Sequence, residues 1–382
     1  MMVNYDDIKE YIFYILSENY DITIEELEKD ILSIYNLQDS DIDISKKYYI
    51  KNIIPQVKDL CQIIIHNTDI VHDLMLLDLP PQRSPEWYKI RENILTASSL
   101  ADAIGKGHFK TRDEMILSKM DVEEIKPTKY VSSIMEWGVK YEQIATIFYE
   151  YLTKSQIIEF GLIPHPQLKI FGASPDGICG PKSPKEYIGR MLEIKCPPKR
   201  EFTSEVPEHY WMQIQGQLET CNLSECDFLQ VKIQEYSNFE EYNQDSNGDV
   251  GKTSNGHPKG MILTFNKNDE KIYEYPKLFQ SNEENDIWKN NMIQKYSDYS
   301  ISVHWWKIIR YECTLVERNK VWWNSIIPDI IQFWEEVEYY RKNGHEDLLQ
   351  KINEKKQKRF KKIDNVITIT EIKNMPCLLT DD

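Results

Sequence analysis

Apolar residues recur at three- and four-residue steps through the N-terminal fifth of the chain, the period of an amphipathic helix. In residues 5–18, Ile8, Tyr11, Ile12, Ile15 and Leu16 fall on that spacing and predict a first helix. Thr23 followed by Glu26 has the form of a capping box, placing a second helix over EELEKDILSIYNL. After the acidic turn QDSDIDIS, a third helix is expected from about Lys46 to Ile65, kinked at Pro55. Together these read as a small helical module over residues 1–78, ending in a linker that contains DLPPQRSP. Ser84-Pro85 then supplies an N-cap and first helical position for a helix carrying Trp87, Ile90, Arg91 and Ile94. LTASSLADAIG opens the next, with Thr96 or Ser98 near its start.

The clearest helix lies at 132–153, where Ile134, Gly138, Tyr141, Ala145, Phe148 and Leu152 predict an unbroken core stripe. Its small residues at 138 and 145 suggest close approach to a neighbour, which would bring Glu142 toward a site. Next comes a hairpin. A short apolar run from Phe171 leads to Asp176, and a second run holds Glu193-Ile194-Lys195. Strand residues alternate faces, so Glu193 and Lys195 share one side and Ile194 turns to the core. The connecting loop is long and carries Lys182, Lys185 and Arg190, which places basic charge at the expected mouth of a site. EVPEHYWMQIQGQLETC predicts a helix with Tyr210, Gln213 and Gln217 on one face and Trp211, Ile214 and Leu218 on another. Beyond it, CDFLQVKIQEY reads as a strand, Ser237 to Pro258 as a mobile loop, KGMILTFN and EKIYEYP as a hairpin, and VHWWKIIRYECTLVE as a further strand. NKVWWNSIIPDIIQFWEEVEYYRK predicts a long closing helix, and residues 346–382 a charged tail. The tryptophans at 305, 306, 322, 323 and 334 could stack bases, but their spacing suits a core.

The 382 residues can bury a full core, and 41% hydrophobic content marks a folded protein. No apolar run is long enough to cross a bilayer, and the acidic start lacks the features of a secretory signal. A soluble intracellular protein without a membrane partner is expected. Seven scattered cysteines fit a reducing compartment, and the lack of any C-x2-C pair argues against an iron–sulfur cluster. The formal charge of −16 is uneven: residues 1–80 carry 6 basic and 16 acidic side chains, whereas residues 81–200 carry 18 and 15. Acidity therefore disfavours broad coating of nucleic acid while leaving room for a focused groove around the hairpin.

Singly, each candidate has a plain reading. Pro-Asp-Gly is a turn, Glu-X-Lys an exposed ion pair, Glu142 a boundary glutamate and Arg91 a surface arginine. Jointly, two carboxylates and a lysine at one hairpin could hold a divalent metal and steer a water to hydrolyse a phosphodiester. Arg91 with the Thr96-Ala97-Ser98 turn offers a guanidinium fork, hydroxyls and amides suited to a phosphate.

WYKIRENILTASS (87–99), WGVKYEQIA (137–145), GASPDGI (172–178), LEIKCP (192–197) and YWMQIQGQL (210–218) occur in one order over about residues 84–235. In that order they resemble the YqaJ-type viral recombinase family, which includes the lambda exonuclease, within the PD-(D/E)XK nuclease superfamily. The resemblance implies an α/β, restriction-endonuclease-like core over residues 79–345, with a central mixed sheet flanked by helices. It implies that Asp176, Glu193 and the Ile194 carbonyl ligate Mg²⁺ or Mn²⁺, as two ions, with Glu142 completing the site. Lys195 would orient and help deprotonate the attacking water, and Gln213 would bind Lys195 and the phosphate. Arg91, Ser98 and Ser174 would hold a terminal 5′-phosphate, and Tyr210 would support Gln213 at the phosphate. The implied activity is a viral 5′→3′ exonuclease resecting duplex DNA ends for recombination, replication or repair, with a single-strand annealing protein and further copies of itself as partners. A structure-specific endonuclease or an RNA-degrading enzyme is the first alternative, and a non-catalytic DNA-end or recombinase-binding protein the second. Residues 1–68 also resemble the DEK C-terminal helical module in ITIEELEKDILSIYNL and ISKKYYIKNII, although their acidity favours an accessory or partner-docking bundle. Deleting residues 1–78 is expected to spare the chemistry.

Overall fold

A computed structural model describes residues 4–35, 44–120, 129–268, 270–355 and 357. The expected N-terminal helices form as α1 (Tyr5–Glu18), α2 (Ile24–Ile34) and α3 (Ile44–Met75). The α2 capping box is closed in both directions: Glu26 N–H donates to the Thr23 hydroxyl, and the Glu26 carboxylate accepts from Thr23 N–H at 2.8 Å. Ile8, Ile12, Leu16, Leu27 and Ile31 bury against Ile50, Ile54 and Val57, so the module has its own apolar centre.

α3 departs from expectation in length. It runs ten residues past the anticipated end and accommodates Pro55 within the helix. The physical reason lies at its far end. Val71 and Leu74 insert among Phe160, Ile163, Ile188, Met191 and Phe228, so the same helix begins in the module's centre and ends in the main core.

The rest is α/β. Helices α4 (Pro85–Glu92), α5 (Leu100–Ala103), α6 (Arg112–Leu117), α7 (Lys129–Thr153), α8 (Glu208–Cys221), α9 (Phe239–Gln244), α10 (Asn282–Lys295) and α11 (Lys320–Asn343) surround two sheets. The strands are β1 (Leu95–Thr96), β2 (Ile157–Ile158), β3 (Ile163–Pro164), β4 (Phe171–Ala173), β5 (Gly177–Cys179), β6 (Met191–Lys195), β7 (Glu225–Glu235), β8 (Lys259–Lys267), β9 (Glu270–Glu274) and β10 (Ser300–Glu317). The large sheet has the order β2-β5-β6-β7-β10-β8-β9, and a small one the order β1-β4-β3. β6 and β7 pair in parallel and the other neighbours of the large sheet are antiparallel, giving the mixed central sheet expected. β6 is interior to this sheet and covered on both faces. Leu192 and Ile194 meet Tyr141, Ile144 and Ala145 of α7, while Met191 meets Ile214 and Leu218 of α8.

Other expectations need correction. The stripe on α7 is buried only in its middle: Ile134 and Leu152 are exposed, and Gly138 faces open space instead of a close neighbour. The segment from Ser237 to Pro258 is organised by Asp245, whose carboxylate accepts from Tyr236, Ser254 and Lys307. Helix α10 carried too weak an apolar stripe to be read from the pattern. The tail begins as helix at 346–355, where Leu348 and Ile352 plug into the core beside Phe333 and Trp334. The rest of the tail, including VITITEI and Cys377, lies outside the described residues apart from Gln357. Trp306, Trp323 and Trp334 are core residues. Among the described residues, no helix is long and apolar enough to cross a membrane.

Candidate active site

β5 and β6 form the expected antiparallel pair, with Gly177 opposite Leu192 and Ile178 opposite Met191. Asp176 occupies the turn just before β5, and its Oδ2 accepts the Ile194 N–H at 2.6 Å. That bond fixes the aspartate across from β6 and beside Glu193 and Lys195. Glu193 is fully buried, which for a carboxylate demands donors on both oxygens. They come from three side chains. The Lys195 ammonium and Gln213 Nε2 (2.7 Å) donate to Oε1, and Gln217 Nε2 (2.7 Å) donates to Oε2. Gln213 and Gln217 stand one helical turn apart on α8, so the helical repeat itself delivers one amide to each carboxylate oxygen.

The Lys195 ammonium lies 5.0 Å from the centre of the Tyr210 ring. Burial alone would push its pKa down, but Glu193 and Asp176 outweigh burial and raise it, so the lysine stays cationic. The Asp176 carboxyl is pushed well above the usual carboxylate range by burial, then by the charges of Glu193 and Glu142, against the opposing pull of Lys195. Burial also raises Glu142, partly offset by Arg83 and Lys195. The three acids are therefore close enough to repel one another, which is an environment that favours a bound cation.

Glu142 is held by the guanidinium of Arg83, with N–O distances of 2.9 and 3.0 Å. Arg83 belongs to the proline-rich linker, read from the sequence only as a separator. The linker instead crosses the site, and its Gln82 donates to the Pro175 carbonyl at 3.1 Å, next to Asp176. No local signal in PPQRSP marks this role, because the partner of Arg83 lies 59 residues away. Gln217 was visible on the polar face of α8, yet only its contact with Glu193 gives it a function.

As placed, no three His, Cys, Asp or Glu side chains among the described residues are gathered tightly enough to hold one ion, since Glu142 turns to Arg83 and Glu193 to Lys195 and the glutamines. The donor set of Asp176, Glu193 and Glu142 is all oxygen, however, and suits a hard divalent ion. A cavity of about 550 Å³ opens beside Glu142 and Lys195, walled by Gly138, Pro197, Phe109 and His209. Gly138 thus serves as a gap in the α7 wall.

The candidate phosphate residues are connected through Trp87. Its indole lies under the Arg91 guanidinium at 4.1 Å, and its Nε1 donates to the Ser174 hydroxyl at 3.1 Å. Arg91 also donates to the Ser98 hydroxyl at 3.2 Å, and Ser98 pairs with Thr96 at 3.2 Å. Ser174 lies two residues before Asp176, so this group adjoins the acids. The Tyr210 ring lies beside the lysine and touches Phe228.

The long loop between the acids is not at the mouth. Lys185 pairs with Glu10 of α1 at 2.6 Å and lies 4.0 Å from the Phe13 ring, while Asn67 of α3 donates to the Ile188 carbonyl. Arg190 pairs with Asp227 and Glu225 on β7. The charges of Lys185 and Arg190 are thus spent on docking to the acidic module and to the neighbouring strand. Gly189, with φ of +79°, lies so near Asn67 that an added Cβ would meet it at 2.9 Å.

Residues 86–224 match the family model described as YqaJ-like viral recombinase domain. Uncharacterized protein R354 of Acanthamoeba polyphaga mimivirus is 34% identical over 305 residues, which is 71% of this chain and 54% of that protein. The chain thus spans about half the length of this curated relative. Two crystal structures are also similar, that of LHK-Exo in complex with dAMP and that of an alkaline exonuclease (LHK-Exo) from Laribacter hongkongensis. Each aligns with a TM-score of 0.40, at 20% and 21% identity, covering 70% and 71% of this chain and 99% of theirs.

Proposed function

Taking as premise the YqaJ-like viral recombinase domain at residues 86–224, we propose that the protein is a divalent-metal-dependent deoxyribonuclease that resects duplex ends 5′→3′. The observation that carries this reading is the convergence of Asp176, Glu193 and Lys195 across one strand pair, with Glu142 facing them from α7. Asp176, Glu193, Glu142 and the Ile194 carbonyl would hold Mg²⁺ or Mn²⁺, in one or two sites. Such an ion, when bound, polarises the phosphate and lowers the pKa of a water. Lys195 holds its positive charge beside the reacting phosphate and orients the attacking water. Gln213 and Gln217 keep Glu193 fixed in place, so the carboxylate is ready without rearrangement. Arg83 holds Glu142 until a stronger cation competes for it.

Arg91, Ser98 and Ser174, bound together by Trp87, would take the 5′-phosphate of a DNA end and set the scissile bond over the acids. Removal of nucleotides from that end leaves a 3′ single strand, the substrate of an annealing protein.

The test is digestion of a linear duplex labelled at either end, with and without a 5′-phosphate, alongside a covalently closed circle. Label released first from 5′-phosphorylated ends, with the circle intact, is expected. Equal attack on the circle or on RNA would overturn the exonuclease reading. Arg91→Ala should erase the preference for 5′-phosphate.

A further inference from the structure

Arg91 lies in the last turn of α4, and this creates an electrostatic difficulty for the phosphate pocket. A helix C-terminus presents unpaired carbonyls and the equivalent of roughly half a negative charge, which repels an anion. The carbonyls concerned are those of Arg91 and Glu92, which close α4, and that of Ile94, which follows two residues on and precedes the Thr96–Ser98 turn. Two cations from other elements cover them. Lys119, just past α6, donates to the carbonyls of Arg91 at 2.6 Å and Ile94 at 2.8 Å. Arg341, near the end of α11, donates to Glu92 O at 2.8 Å and to Lys119 O at 3.0 Å. Among the described residues, no carboxylate forms an ion pair with Lys119.

We propose that Lys119 is a positioning residue of the phosphate pocket: its ammonium holds the Arg91 and Ile94 carbonyls, cancels the negative end of α4, and lets a terminal phosphate dianion sit where it would otherwise be repelled. This rests on the phosphate-pocket reading above. The role explains why a lysine is half-buried in contact with backbone alone, an arrangement that is costly unless an anion comes near.

Burial lowers the Lys119 pKa to about 7, and the Arg91, Lys110 and Arg341 cations lower it further than Glu92 restores it. Near neutrality, therefore, the empty pocket holds this lysine only partly charged. A bound dianion stabilises the charged form, so phosphate binding takes up a proton. The sign follows: above the free-state pKa, that proton must be drawn from increasingly alkaline solvent, and the advantage of a 5′-phosphate shrinks as pH rises.

The experiment measures kcat/KM on one duplex bearing 5′-phosphoryl or 5′-hydroxyl ends, from about pH 6.5 to about pH 9, and takes their ratio. Effects of pH on the shared hydrolytic step cancel in that ratio. For the natural protein it should fall about threefold or more between about pH 7 and about pH 8.5, within the limit of tenfold per pKa unit. Lys119→Arg, charged throughout, should remove this fall. Lys119→Met should lower the ratio at pH 7 to its alkaline value. A ratio that declines equally in the natural protein and Lys119→Arg overturns the proposal, as does a Lys119→Met ratio equal to the natural one. Arg91→Ala separates the two readings: if it erases the preference while Lys119→Met spares it, only the role of Lys119 falls. If neither variant alters the ratio, the pocket itself is wrong. Should Lys119→Met not fold, the pH profile of Lys119→Arg decides.

Discussion

Asp176→Asn should make the metal-free protein more stable and the enzyme inactive, two effects of opposite sign from one atom's change. Asparagine keeps the shape and can still accept the Ile194 N–H through its carbonyl oxygen. What it removes is a charge that burial, Glu193 and Glu142 all disfavour. The folded-state pKa lies above the unfolded value of about 3.9. The stability contributed by the protonated form is therefore fully present below that value and is lost as pH rises through the raised one. The limiting slope is about 1.4 kcal/mol per pH unit for one proton. The asparagine variant has no such loss, so its advantage should be near zero in acid and grow toward pH 8. Cleavage should fall by about three orders of magnitude, or about 4 kcal/mol in the barrier, because a hard oxygen ligand and its charge are gone. Urea unfolding in chelator at about pH 5 and about pH 8, with initial rates on a linear duplex in saturating Mg²⁺, reads both. A variant less stable than the natural protein at pH 8, or one retaining a tenth of its rate, would refute the reasoning.

Lys195→Ala should abolish Mg²⁺-dependent cleavage while circular dichroism stays native, and unchanged turnover would remove the lysine from the mechanism. Gln217→Leu strips the donor from Oε2 of a fully buried carboxylate. A loss of about 1–3 kcal/mol in urea unfolding is expected, and a neutral result would mean that Oε2 finds another partner. Mn²⁺ affinity of the natural protein, followed by calorimetry, should rise with pH as Asp176 gives up its proton; a pH-independent affinity would exclude Asp176 as a ligand. Deleting residues 1–78 removes Val71 and Leu74 from the main core, at about 2–5 kcal/mol for each such side chain. Set against a total stability of about 5–15 kcal/mol, aggregation is expected, and soluble active protein would show that the core reseals.

Periodicity and motif order carried far here. The helix 208–221, the strand pair around Asp176 and Glu193, and the closing helix 320–343 all follow from local spacing of apolar residues. Each is amphipathic over a length that its own sequence specifies. The acids, the lysine and Gln213 were legible for the same reason: they lie on short, regular elements whose side-chain directions are fixed by the period of two or 3.6.

Tertiary structure decided what those residues face. Arg83 reaches Glu142 across 59 positions, Gln217 acquires its role only because α8 lies against β6, and Lys119 matters only because it reaches the carbonyls of Arg91 and Ile94. The basic loop illustrates the limit most directly. Its charge was plain in the sequence, but whether Lys185 and Arg190 meet substrate or protein depended on Glu10, Asp227 and Glu225 from distant elements. Local sequence determines which way a side chain leaves its own strand or helix. Coulomb and desolvation terms at the chain's many long-range contacts determine what it meets, and those terms exist only once the elements have packed.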